Sequence, residues 1–323
     1  MRNNFFTELG TDVATAQTAE EAIVNGGLDW EVLSQPHTVS LSVPNEEGEL
    51  TAQLQTIPHS FVNYRSDTKD ILGFVKDKYR IIQNKKSFSV MDDIASTTQS
   101  KYVSVGMEGR GAKVFIVALM PGDLQIVGTN DKIEKYLMLS ASHDGKSSLV
   151  MGFTPIHFSS RAVLSLSRRG LTDKVSVRHT ATNEKRLTEA VRLLQMADNY
   201  FSKLQNVFTG LSKVPFTAEM LDAVLDNVLP IDEDSTKGKT RAENNRSKLK
   251  EFYTNSPNIL PEIKDTAWAA YLACAEYADF GKTFSGHKDK STAAENRFKS
   301  ISEGTSYNFK NTAFNAIADI AGV

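Results

Sequence analysis

The residues whose types and spacing can do chemistry gather in one run, His143-Asp144-Gly145-Lys146-Ser147. Imidazole beside carboxylate suits proton transfer or metal binding, and a glycine-lysine-serine order suits phosphate. Asp144-Gly145 also lies between the strand-like runs LMLSAS and SSLVMGF, where that dipeptide favours the positive φ angles of a two-residue hairpin turn. One reading is a tight turn alone. The other is a turn that projects His143 and Lys146 toward a phosphate or another anion.

Nucleotide hydrolysis fails on spacing, because a phosphate loop needs a glycine five positions before its second one. Residue 140 is serine, and the same test at Gly281-Lys282-Thr283 meets Glu276. His143, Asp144, His157 and His179 are of the types that bind zinc, manganese or iron, but their spacing follows no ligand rule, so no metal and no other cofactor is expected. The chain has no GxSxG nucleophile elbow and no HExxH pair. Its one cysteine, Cys274, sits in an apolar helical stretch and reads as core. A single cysteine also excludes an internal disulfide framework and a paired-cysteine zinc site, which fits a reducing cytoplasm.

A formal net charge of −2 exerts no general pull on nucleic acid, yet the cations are unevenly placed. Lys146, Arg161, Arg168, Arg169, Lys174, Arg178, His179, Lys185 and Arg186 fall in or beside one basic stretch. Arginine forms bidentate contacts with phosphate and lysine adds a point charge, so these are the candidate nucleic-acid ligands. The competing reading is a solvated surface. Trp30 and Tyr64, on expected strands, are the candidate base-stacking aromatics if they face outward.

These residues must be positioned by an α+β fold: a large, mostly antiparallel sheet with a helix, followed by a C-terminal helical region. Residues 18–24 read as a helix closed by Gly26 and Gly27, and 30–33, 38–43 and 50–57 as strands with a hairpin loop at 45–49. Further strands are expected at 60–64 and 71–75, then a helix capped by Asn84, then strands at 102–107, 112–119, 124–127, 136–142 and 148–153. After Asn183 the apolar spacing turns helical, which divides the chain into a strand-rich domain at 1–183 and a helical domain at 184–323. Residues 231–240 read as an exposed loop. The N-terminus lacks a signal-peptide pattern, and no apolar run approaches the ~20 residues of a membrane span, so a cytoplasmic protein without a membrane partner is expected.

The run SASHDGKSSLVMGFTPIHFSSRAVL, the later VSVRHTATNEKRLTEA, and the downstream TAWAAYLACAEYADF and ENRFKSISEGTSYNFKNTA resemble the phage/plasmid-like family known as domain of unknown function 932. The matching positions include His143, Asp144, Gly145, Arg161, His179, Thr180, Asn296 and Arg297, with Lys146 standing where the family's turn has serine. The resemblance implies a phage or plasmid setting and supplies no activity. Several phage recombination proteins that anneal single strands have a β-β-β-α core resembling that of the Rad52 annealing protein, and the early strands, the helix at 84–98 and the basic segment here are compatible with that core by analogy of fold order. Single-stranded DNA binding and annealing by a homo-oligomeric ring or filament is the expected function. The alternatives are a non-enzymatic protein-interaction or counter-defence factor and a metal-dependent nuclease around His143, Asp144 and His179.

Overall fold

The computed structural model describes residues 5–165, 172–178, 182–232, 234–286 and 292–323. Arg168, Arg169, His179 and Thr180 lie outside them. The fold is α+β, as the alternation of strand-like and helical spacing predicts. It opens with α1 (Phe5–Leu9), β1 (Thr11–Asp12) and α2 (Ala19–Asn25). The Thr18 hydroxyl accepts the Glu21 N–H and satisfies one of the orphan donors at the head of α2.

Next come β2 (Val32–Pro44), β3 (Leu50–Arg65), β4 (Ile71–Lys76) and α3 (Asn84–Thr98). The remaining strands are β5 (Lys101–Glu108), β6 (Lys113–Leu119), β7 (Leu124–Gln125), β8 (Lys132–Ser142), β9 (Val150–His157) and β10 (Lys174–Ser176). They form an antiparallel sheet in the order β1-β5-β6-β8-β9-β10, with β7 paired to β8. The early strands stay out of it and pair only as β2-β3-β4. A strand joins a core sheet by burying one continuous apolar row. Residues 38–56 mix serine, threonine and glutamine into both faces, and no residue between 33 and 61 is buried. The hairpin therefore leaves the body as an arm, rooted by buried Val32, Val62, Leu72 and Val75.

The helical region begins where the spacing changes, with α4 (Asn183–Leu211), then α5 (Ala218–Val228), α6 (Thr236–Asn255), α7 (Ala267–Glu276), α8 (Ala293–Ser302) and α9 (Thr305–Ala321). The expected loop at 231–240 is shorter in the structure, because the Ser235 hydroxyl accepts the Gly238 N–H (3.1 Å) and starts α6 within it. Every residue of α7 is buried, as its run of alanines and large apolar side chains on all faces requires. α4 packs on α3 and on β9, so sheet and helices share one apolar core. No helix among the described residues is long and apolar enough to cross a membrane.

Two buried polar centres fasten the helices to the sheet. Asp131 accepts from Trp268 Nε1 (2.7 Å) and pairs with His157 Nε2 (2.6 Å), while His157 Nδ1 meets Ser160 Oγ (2.8 Å). His157 thus belongs to the seat of α7. It pairs across the sheet with Ile133, ten positions before His143, so the two histidines lie about 30 Å apart along the strand. That separation breaks up the metal set that residue types alone allow. In the second centre Lys310 Nζ donates to Asp279 (2.8 Å), both side chains are fully enclosed, and Asp279 also accepts the Val163 N–H (2.8 Å). Desolvation lowers the Lys310 pKa, and the Asp279 carboxylate opposes that fall. Breaking such a pair leaves a buried charge without a partner. Lys310→Met is expected to cost about 3–5 kcal/mol in denaturant unfolding, whereas Lys146→Met, on an exposed side chain, is expected to change stability by less than about 0.5 kcal/mol.

Candidate nucleic-acid interface

The His143-Asp144-Gly145-Lys146 turn leaves β8 at the point where that strand meets the root of the arm. The loop is longer than a two-residue hairpin, since β9 does not begin until Val150. Gly145 takes a φ of +75°, which a glycine adopts without strain. Gly73 of β4 lies so close that a Cβ there would be 2.6 Å from the Asp144 Cα. Around this contact the backbone is held by the Asn63 side chain, which donates to the His143 carbonyl (2.9 Å), and by the Tyr79 hydroxyl, which donates to the Ser142 carbonyl (3.0 Å).

His143 does not project toward solvent; it is 1% exposed, with Trp30 edge-on at 5.8 Å. Asn84, which sequence reasoning made a helix cap, is the first residue of α3, and its side chain is spent elsewhere. Its amide donates to the Leu28 carbonyl (2.8 Å), so its oxygen faces His143 Nε2 (2.8 Å) and assigns the ring proton to that nitrogen. Burial pushes the His143 pKa down to about 4, and the ring is neutral near pH 7. Lys146 does project, with its side chain 82% exposed. Burial works against ionisation of Asp144, but the Ser142 hydroxyl, the Lys146 N–H (2.9 Å) and the Lys146 ammonium hold its carboxyl below the usual range.

On one side of the turn a chamber of about 110 Å³ is lined by Tyr79, Arg80, Ser87, Ser142, His143, Ser147, Ser148 and Leu149. It shares Ser87 and Leu149 with a smaller cleft lined by Lys86, Ser89, Arg178 and Arg186. The two adjoin, the second being only about 20 Å³, and between them make a narrow groove with four cationic side chains, several hydroxyls and no carboxylate among its described lining residues. Ser87 is 1% exposed, and its hydroxyl has no hydrogen-bond partner among the described residues. The first turns of α3 and α4 both border the groove, and the positive ends of their dipoles favour an anion there. Asp93 lies 3.4 Å from Arg186 and shares its charge.

On the other side is a larger cleft, about 540 Å³, into which Asp144, Glu108 and Glu295 face together with Arg110, Lys113, Lys146 and Lys299. Arg110 is paired with Asp70 (3.0 Å) and Lys113 with Glu303 (2.8 Å). This cleft is close to charge balance and offers less to an anion than its size suggests.

The expected basic stretch is only partly assembled. Arg178 and Arg186 enter the groove, Lys185 is exposed on the adjoining first turn of α4, and Lys146 stands on the turn itself. Arg161 is taken out of the set, because it is half-buried against Glu134 (2.6 Å) and the Tyr136 hydroxyl (3.3 Å). Lys174 is spent on the Ser302 carbonyl (2.8 Å) with its ammonium over the Tyr307 ring. Trp30 is 6% exposed, with the Arg65 guanidinium 4.5 Å from its ring, and cannot stack a base; Tyr64 is half-buried on β3. Arg80, Lys86 and Ser87 were missed by sequence reasoning, since nothing local in a turn and a helix start signals that they meet Arg178.

The neutral His143 makes a pH dependence. Above pH 6.5 neither folded nor unfolded chain carries the proton; as pH falls the unfolded chain takes it and the folded chain refuses it until about pH 4. Stability is therefore expected to fall by about 1.4 kcal/mol per pH unit through that window on account of this residue. Denaturant unfolding of His143→Gln across the same range should lack this share of the decline.

No curated protein and no solved structure matches the chain. A family model described as domain of unknown function (DUF932) matches residues 71–304, which take in the turn, both clefts and α3 to α8. The chain belongs to that family.

Proposed function

We propose that the chain binds single-stranded DNA by its phosphate backbone along the groove beside the His143 turn and, in the phage or plasmid setting implied by the resemblance, serves in strand annealing. The observation that carries this is the groove lining: Arg80, Lys86, Arg178 and Arg186 with serine hydroxyls and no carboxylate. Serine hydroxyls and guanidinium groups are donors to phosphate oxygens, and the unpartnered Ser87 hydroxyl is one more. Lys146 and Lys185 extend the positive field beyond the rim.

The shape favours a single strand. A chamber of about 110 Å³ admits one phosphate and part of a sugar, which a flexible strand can present by local kinking. A duplex, its backbone held by base pairing, has less local freedom to turn a phosphate into the chamber.

Fluorescent oligonucleotide titration across a salt series tests the reading. Each phosphate contact on a single strand contributes about 0.7 to the slope of log affinity against log salt. Changing Lys86, Arg178 and Arg186 together to alanine is expected to weaken binding and reduce the slope by about 2. Failure of the wild type to bind at low salt, or an unchanged slope in the variant, would overturn it.

A further inference from the structure

The β2-β3 arm has a composition unlike the rest of the surface. From Val32 to Tyr64 it contains no lysine and no arginine, and its tip carries Glu46, Glu47 and Glu49. Next to that tip Val43, Leu50 and Leu54 are exposed, with Leu41 just below. The register puts Leu50 opposite Pro44 and Leu54 opposite Ser40 on one face, and Leu41 and Val43 on the other. Both edges of the hairpin are unpaired over 38–56. A lone two-stranded hairpin is marginal in water, and exposed leucines at this density mark a docking surface. The absence of cations along the arm makes it a poor ligand for phosphate and a good one for a basic surface.

The same chain offers such a surface. The groove presents Arg80, Lys86, Arg178 and Arg186, of which Arg186 is partly offset by Asp93, and next to Arg186 on α4 the exposed side chains of Leu187 and Val191 sit one turn apart. Acid flanked by apolar residues on the arm thus faces base flanked by apolar residues at the groove. The arm rises about 20 Å from Thr38 to Pro44, and since no residue between 33 and 61 is buried among the described residues, its outer part is free to reach another chain.

We propose that the acidic tip of the arm seats in the groove of a second copy of this chain, its glutamates standing where phosphates bind. The proposal rests on the groove being an anion receptor. The contact joins two different patches, so repetition closes a ring or propagates a filament. Single-stranded DNA and the arm then exchange for one site, and strand binding releases the assembly.

Light scattering after size exclusion at low salt and high micromolar concentration tests it, with three proteins: wild type, a Glu46→Lys/Glu47→Lys/Glu49→Lys tip variant, and the tip variant carrying Arg178→Glu and Arg186→Glu as well. All tip positions are exposed, and circular dichroism confirms folding of each variant. The wild type is expected to run as an assembly, the tip variant at the 35.7 kDa of one chain, and the doubly reversed variant as an assembly again. A monomeric wild type, a tip variant that stays assembled, or a doubly reversed variant that stays monomeric overturns the proposal. Oligonucleotide binding separates the two ideas: a wild type that assembles through its tip and ignores oligonucleotide supports the docking while sinking the DNA reading. If both hold, the tip variant binds oligonucleotide several-fold more tightly than the wild type.

Discussion

The Asn84–His143 hydrogen bond is the constraint on which the interface depends. It ties the start of α3 to the end of β8, and through the Leu28 carbonyl it reaches the segment leading into the arm. The imidazole in it is neutral, because burial disfavours the charged ring more than the neighbouring Asp144 carboxylate favours it. With His143 turned inward, the turn cannot present imidazole to a ligand; it presents Lys146 and its own hydroxyls instead. The chemistry suggested by histidine beside aspartate is thereby converted into architecture.

The other buried polar groups do similar work at a distance. Asp131 locks α7 to the sheet through Trp268 and His157, and Asp279 holds α9 through Lys310. Each carboxylate accepts from groups on two separate segments, which is what a buried charged group needs in a dry core. The result is a body in which the first turns of α3 and α4 and the loop after β8 border the groove, while the outer part of the arm buries no residue. A cationic groove and an exposed acidic arm on one chain are the two halves of the contact proposed.

Local rules made much of this legible. The Thr18 cap, the polar loop at 45–49, the strands β8 and β9 and the switch to helical spacing at Asn183 follow from neighbours in sequence, and the structure has each of them. What escaped was pairing over long separations. Arg161 looks like a free cation until Glu134 is placed on the adjoining strand, and Trp30 looks available until Arg65 and His143 close over it. Arg80 and Lys86 join Arg178 only because α4 packs on α3, a contact spanning about ninety positions. The separation of the arm from the main sheet was implicit in its serines, threonines and glutamines, which deny either face an apolar row.

Hydrogen exchange of the chain with and without a single-stranded oligonucleotide tests the central claim most directly, because it reports on backbone segments and needs no substitution. The account predicts slowed exchange in the first turns of α3, in residues 142–149 and around Arg178, with none in the core of the larger cleft at 295–299. Protection confined to that cleft, or none at the groove while the oligonucleotide is bound, would contradict it.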